Sequence, residues 1–172
     1  MTTCTSHPPR RGSARHRFGE RGSTLVEFAL AAPILFMVTF VIVDLGTYFF
    51  REHTVQFATR EGVRLALAGG TVRDLQGNPL GREASIVSTI QHYASVAGIK
   101  PSELSISIFP VDGNYNDPVG WQGTRDAGRP GQFMRVRATY NYSFLTPLVR
   151  NLGPIHAVVI QAQATYRNEL FD

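Results

Sequence analysis

At 172 residues the chain has room for one modest domain and an anchor. Its formal net charge of +4 sits entirely in residues 1–22, where five arginines face Glu20; beyond them eleven arginines and Lys100 balance twelve acidic residues. That neutrality withdraws support from nucleic-acid binding, and a single cysteine, Cys4, excludes a disulfide within the chain.

Residues 1–22 are polar, Arg-rich and hold Pro8 and Pro9, a composition too polar to fold by itself. Gly22-Ser23-Thr24-Leu25-Val26-Glu27-Phe28 follows, and then ALAAPILFMVTFVIV (29–43), without a charge. An apolar run behind a basic arm predicts a transmembrane helix, drawn here over 23–50 because 28–43 alone falls short of the roughly 30 Å hydrocarbon core. The arginines keep the N-terminus in the cytoplasm and place everything after Phe50 outside. A secretory signal peptide fits less well, since the convincing small-x-small site, Ala66-Leu67-Ala68, lies far beyond the apolar run. Pro33 removes one backbone hydrogen bond inside the helix, which membrane helices tolerate.

Glu27 and Asp44 are the only charges in the span. A carboxylate in a bilayer helix costs about 2.5–3.5 kcal/mol near the centre and less at the interface. Glu27 therefore reads in two ways. It is solvated at headgroup depth, where it also suits a helix N-terminus, or it meets a positive group on a neighbouring helix. Tyr48, Phe49 and Phe50 fit the outer aromatic belt, with Arg51 among the headgroups.

Past the membrane, Val55, Ala58, Gly62 and Leu65 recur at helical spacing, Glu61 and Arg64 can pair one turn apart, and Gly69-Gly70 stops the helix. Gly77-Asn78-Pro79 breaks the link that follows. A second helix is predicted over 83–97, burying Val87, Ile90, Ala94 and Ala97, with Gly98 as its C-cap. Strict alternation then marks three strands: 104–108; 134–144, with Met134, Val136, Ala138, Tyr140, Tyr142 and Phe144 on one face; and 158–166, with Val158, Ile160, Ala162, Ala164 and Tyr166. Three one-sided strands against two helices make an α+β domain over 51–172 with a small antiparallel sheet.

Two connections stand out. Residues 110–131 are rich in Gly, Pro, Asp and Asn and are expected to be a flexible loop. The single tryptophan, Trp121, lies there near Arg125 and Arg129; it is either a contact point for a partner or tucked onto the domain. Residues 146–154, TPLVRNLGP, read as an ordered crossover. No catalytic or metal-ligand pattern is present: the five histidines are isolated, HExxH, CxxC, GxSxG and P-loop motifs are missing, and Asp112, Asp117 and Asp126 lack EF-hand spacing and read as a solvated acidic loop.

The stretch RGSTLVEFALAAPILFMVTFVIVDLGTYFF, the helix QFATREGVRLA, and RVRATYNYSFLTPLV with the final ATYRNE together resemble the TadE-like family of the tight-adherence (Flp) pilus system. The resemblance implies a pilin-like fold, a non-enzymatic minor pseudopilin with no cofactor, and a bacterial cytoplasmic-membrane location. It also implies that a prepilin peptidase cuts between Gly22 and Ser23, removing the leader 1–22. Glu27, as fifth residue of the mature chain, and Phe28 after it then serve peptidase recognition and subunit assembly. The implied partners are that peptidase, other pilin-like subunits, the pilus assembly machinery and membrane lipid. The different-class alternative is an uncleaved single-pass protein whose exported domain binds a ligand or surface.

Overall fold

The computed structural model describes residues 18–74, 76–147, 150 and 157–169, with side chains from Ser23 onward. Most of the leader (1–17) and most of the expected 146–154 crossover lie outside the described residues. The chain divides into two units, one ending at Thr39 and the other starting at Phe40.

Helix α1 (Phe18–Leu67) carries Pro33 in its interior. It ends where the glycine pair predicts. Gly69, at φ +61°, donates its amide to Ala66 O at 3.2 Å, and Gly70 donates to Leu65 O at 3.1 Å. That is the paired closure of a helix by a left-handed residue, which glycine adopts without a Cβ penalty. Helix α2 (Arg82–Ala94) runs on into a 3₁₀ turn (Ser95–Ala97) capped by Gly98 at φ +68°.

The strands are β1 (Leu104–Pro110), β2 (Phe133–Ser143) and β3 (Ala157–Arg167). They form an antiparallel sheet in the order β1-β2-β3. Leu104 pairs with Tyr140 and Pro110 with Met134, while Phe133 pairs with Arg167 and Ser143 with Ala157. The alternation read from the sequence thus finds its register, because a one-residue slip would turn each apolar set to the wrong face.

In the second unit, Val55, Ala58, Thr59, Val63 and Ala66 of α1 are buried together with Ile86, Val87, Ile90 and Ala94 of α2 and the inward sheet residues from Ile106 to Tyr166. Gly62 lets the two helices approach: a Cβ there would stand 2.5 Å from Ile90 Cγ1. Leu65, expected in the buried stripe, is only half-buried.

The sheet is not one-sided throughout. Ser107, Phe109 and Arg137, on the face away from the helices, are buried as well. The 110–131 loop folds back over them: Thr124 O accepts from Ile108 N at 2.8 Å, and Asp126 N donates to Ile108 O at 2.9 Å. This lays a short parallel bridge along the outer edge of β1. Alternation alone does not foresee it, since the covering residues have no periodicity of their own.

Candidate functional site

The residues singled out at the start of the apolar run lie on α1, which passes through Gly22 and Ser23 without a break. Ser23 Oγ donates to Glu27 Oε1 at 3.0 Å, one helical turn apart. Glu27 thus has a partner in its own helix, which neither sequence reading named. Phe28, next on the helix, is 67% exposed.

From Ser23 to Val43 every side chain is exposed except Ala32, which is half-covered. The stretch includes Leu25, Leu30, Ile34, Leu35, Phe36 and Ile42, all more than half exposed. So long a stripe of apolar surface is stable only in lipid or against other helices. The helix is a candidate membrane anchor by length and composition. Within it, Thr39 turns its hydroxyl back onto Leu35 O at 2.8 Å, so that polar group needs no outside partner.

Asp44, the next residue, is 1% exposed. Its carboxylate accepts from the amides of Leu145 at 2.9 Å and Thr146 at 3.3 Å, and from the Thr146 hydroxyl. Its backbone carbonyl accepts from Tyr142 Oη at 3.2 Å. Burial, and after it the Asp44 charge, raise the Tyr142 hydroxyl above the ordinary tyrosine value. One turn on, Tyr48 meets the Tyr142 ring edge-on at 5.6 Å. Arg51 follows: its guanidinium lies 5.4 Å from the Tyr142 centroid and 5.7 Å from that of Tyr140, and it donates to Tyr140 Oη. Tyr48 and Arg51, read from the sequence as interfacial, hold α1 to the base of β2. The reason is spacing: positions 44, 48, 51, 55, 58 and 62 continue one helical face down from the core. That stripe includes a charge and an arginine, so an apolar pattern search ends it at Val55.

Trp121 is half-buried. Its ring lies 5.2 Å from Phe109, and the Arg137 guanidinium stacks 4.2 Å over it. Arg125 and Arg129 are exposed. Their backbones serve the fold, Arg125 in the bridge to Ile108 and Arg129 through a carbonyl that accepts from Asn168 Nδ2 at 2.9 Å. The three therefore share a loop that is tied to the sheet. Asp117, read as solvated, pairs with Arg137 at 2.7 Å and with Arg135. Burial works against its charge, but hydrogen bonds from Arg137 and then Arg135 hold its pKa below the ordinary carboxylate value. The arginines in turn bind Gln163 and Thr165 of β3, so the pair fixes the loop to two strands.

Among the described residues no group of three or more His, Cys, Asp or Glu is placed to hold a metal ion. A cleft of about 510 Å³ flanks α1 and α2, between Glu61, Arg64, Arg73, Thr89, His92 and Tyr93. It carries both charges and, facing solvent broadly, no convergent set of catalytic groups.

No curated protein and no solved structure matches this chain. The family model described as TadE-like protein matches residues 22–64, beginning on the glycine of the candidate cleavage site and ending within the α1 face that packs on the domain, so over that segment the chain is similar to the family its sequence resembles.

Proposed function

We propose that this protein is a membrane-anchored minor pseudopilin acting in assembly of a tight-adherence pilus. Its leader is removed by a prepilin peptidase after Gly22. The observation that carries this reading is the coincidence of three features at one place. Gly22 precedes Glu27 by five residues, both stand at the mouth of the apolar helix, and the TadE-like match begins on Gly22. A family tied to pilus systems, together with an anchor and a small packed α+β unit, suits a structural role.

Asp44 is buried and bonded to the end of β2, so we place the outer end of the anchor at Val43 in preference to Phe50. Residues 23–43 number 43 − 23 + 1 = 21, about 31 Å of helix and close to one hydrocarbon core. The basic arm orients it with the N-terminus in the cytoplasm and the domain exported. A C-terminal reporter active only outside the cytoplasm then gives signal; a cytoplasm-only reporter working there overturns the orientation.

The unbroken course of α1 through Gly22 and Ser23 favours the alternative, an uncleaved single-pass protein with an exported binding domain, because a peptidase needs an opened backbone. Intact mass after co-expression with a prepilin peptidase separates the two. Cleavage leaves 172 − 22 = 150 residues starting at Ser23, and Gly22→Leu blocks it. A chain that keeps Met1, or begins beyond Ala68, defeats the pseudopilin reading.

A further inference from the structure

We propose that the turn after β2, centred on Leu145, rests on the outer leaflet of the bilayer and gives the exported domain a second lipid contact beside its helix. The inference rests on the proposed anchor at 23–43. If that run spans the hydrocarbon, Asp44 stands one residue beyond it, at the outer interface. The Leu145 amide is 2.9 Å from the Asp44 carboxylate, so its backbone shares the depth of that carboxylate to within a hydrogen-bond length.

Three further observations suit an interfacial position. The Leu145 side chain is an exposed apolar group, 55% accessible. On α1, Leu45 and Phe49 are 49% and 47% exposed and flank Asp44 within about one turn, continuing the apolar surface of the anchor. Most telling is where the backbone polar groups go. A loop entering a low-dielectric layer must satisfy its amides within the protein. Here the amides of Leu145 and Thr146 and the Thr146 hydroxyl all end on Asp44, while Thr146 O accepts from Arg150 N at 3.1 Å. Residues 144–149 read FLTPLV, with no charge to hold them in water. Asp44, meanwhile, is shielded from lipid by the donors around it.

The test uses the full chain carrying Cys4→Ser, reconstituted into vesicles of phosphatidylethanolamine and phosphatidylglycerol. A polarity-sensitive fluorophore is placed on a single cysteine at one of three sites: Ile34→Cys in the middle of the run, Leu145→Cys, or Val119→Cys in the 110–131 loop, a fully exposed residue. Lipid nitroxides set deep or shallow in the acyl chain, and aqueous iodide, serve as quenchers. The expected result is deep-nitroxide quenching at 34, shallow-nitroxide quenching with loss of iodide quenching at 145, and iodide quenching alone at 119. If 145 behaves as 119 while 34 is quenched from within the bilayer, the anchor stands and the proposal falls. If 34 escapes lipid quenching, the anchor reading itself fails and takes the proposal with it. A label at 145 shielded from both lipid and iodide means that a neighbouring protein covers the turn, which also overturns it.

Discussion

The Asp44 carboxylate and Thr146 meet through two groups of the threonine, its amide at 3.3 Å and its hydroxyl. The pair joins the helix leaving the apolar run to the end of β2, 102 residues later in sequence. A buried carboxylate is tolerable because each lone pair facing the protein finds a donor.

Removing that carboxylate leaves the Leu145 and Thr146 amides and the Thr146 hydroxyl without their acceptor. Asp44→Ala should therefore destabilise the second unit by about 2–3 kcal/mol, the range for losing charged hydrogen bonds and stranding their partners. Thr146→Val, which keeps the amide and loses only the hydroxyl, should cost about 1 kcal/mol. The double variant should cost less than the sum, because both changes act on one network. Urea unfolding in detergent micelles measures all three. An unchanged midpoint for Asp44→Ala would mean that the carboxylate is solvated.

Gly62 tests the contact between the helices. In an exposed helix, Gly→Ala stabilises by about 1 kcal/mol. Here the new methyl would lie 2.5 Å and 2.8 Å from Ile90 Cγ1 and Cδ1, and 3.4 Å from Ile86 O. Ile90 is fully buried and cannot swing into solvent. Overpacking costs about 1–3 kcal/mol, so Gly62→Ala should lower stability. In an Ile90→Ala background the same substitution should raise it, since only the helix propensity then remains. If the sign does not reverse, Gly62 and Ile90 are not in close contact.

How much could be read from the sequence follows from which residues carry a period. The two helices, the three strands and the apolar run were legible because burial there repeats every 3.6 or every 2 residues. Gly69-Gly70 and Gly98 were legible because closing a helix requires a left-handed residue. The reach of the domain down α1 was not, because Asp44, Tyr48 and Arg51 belong to the buried face yet look like interfacial residues. Their partners Tyr140, Tyr142 and Thr146 are about 90 to 100 residues away. The cover over Phe109 and Arg137 was hidden for the same reason: Trp121 and Asp117 supply it from an aperiodic loop. At the candidate cleavage site, Gly22 and Glu27 were legible as a spacing, whereas the bond from Ser23 to Glu27 needed the helix to be continuous through both.

Asp117 makes the loop acid-sensitive. Its folded pKa is depressed, so its contribution to stability is complete above the unfolded value of about 3.9. That contribution is lost as pH falls below 3.9 and through the lower folded value. The reporter is already in place, since Trp121 is the only tryptophan and stacks on Arg137, a partner of Asp117. Acidification should therefore shift Trp121 emission to the red below about pH 4. Asp117→Asn should show much of that shift at neutral pH and a flatter acid limb. Asp112 is also depressed, by bonds from Asn116 and then Asn114 inside its own turn. Asp112→Asn should leave the neutral-pH emission unchanged. Equal effects from the two variants would place the acid response in the turn instead of the Asp117 pairs.

The final prediction concerns Glu27 after the proposed cut. Cleavage would give Ser23 an α-amino group with an ordinary pKa of about 7.7–8.0, a cation at the edge of the hydrocarbon, where an unpaired charge is costly. In the uncut chain the Ser23 hydroxyl already donates to Glu27 across one turn, so the new amine would start within a turn of its own Glu27. A neighbouring subunit's Glu27 can replace it when two helices pack with an axial offset. Desolvation offsets much of the attraction in either pairing, which leaves register as the main effect. Glu27→Ala should thus leave cleavage and membrane insertion intact while weakening association with other pilin-like subunits, read by crosslinking and co-purification. Glu27→Asp should fall between, its carboxylate reaching less far. Ser23→Ala removes the hydroxyl bond but keeps the amine, and should associate like the parent. Should Glu27→Ala associate as well as the parent while Ser23→Ala does not, the hydroxyl and not the carboxylate organises this end of the helix.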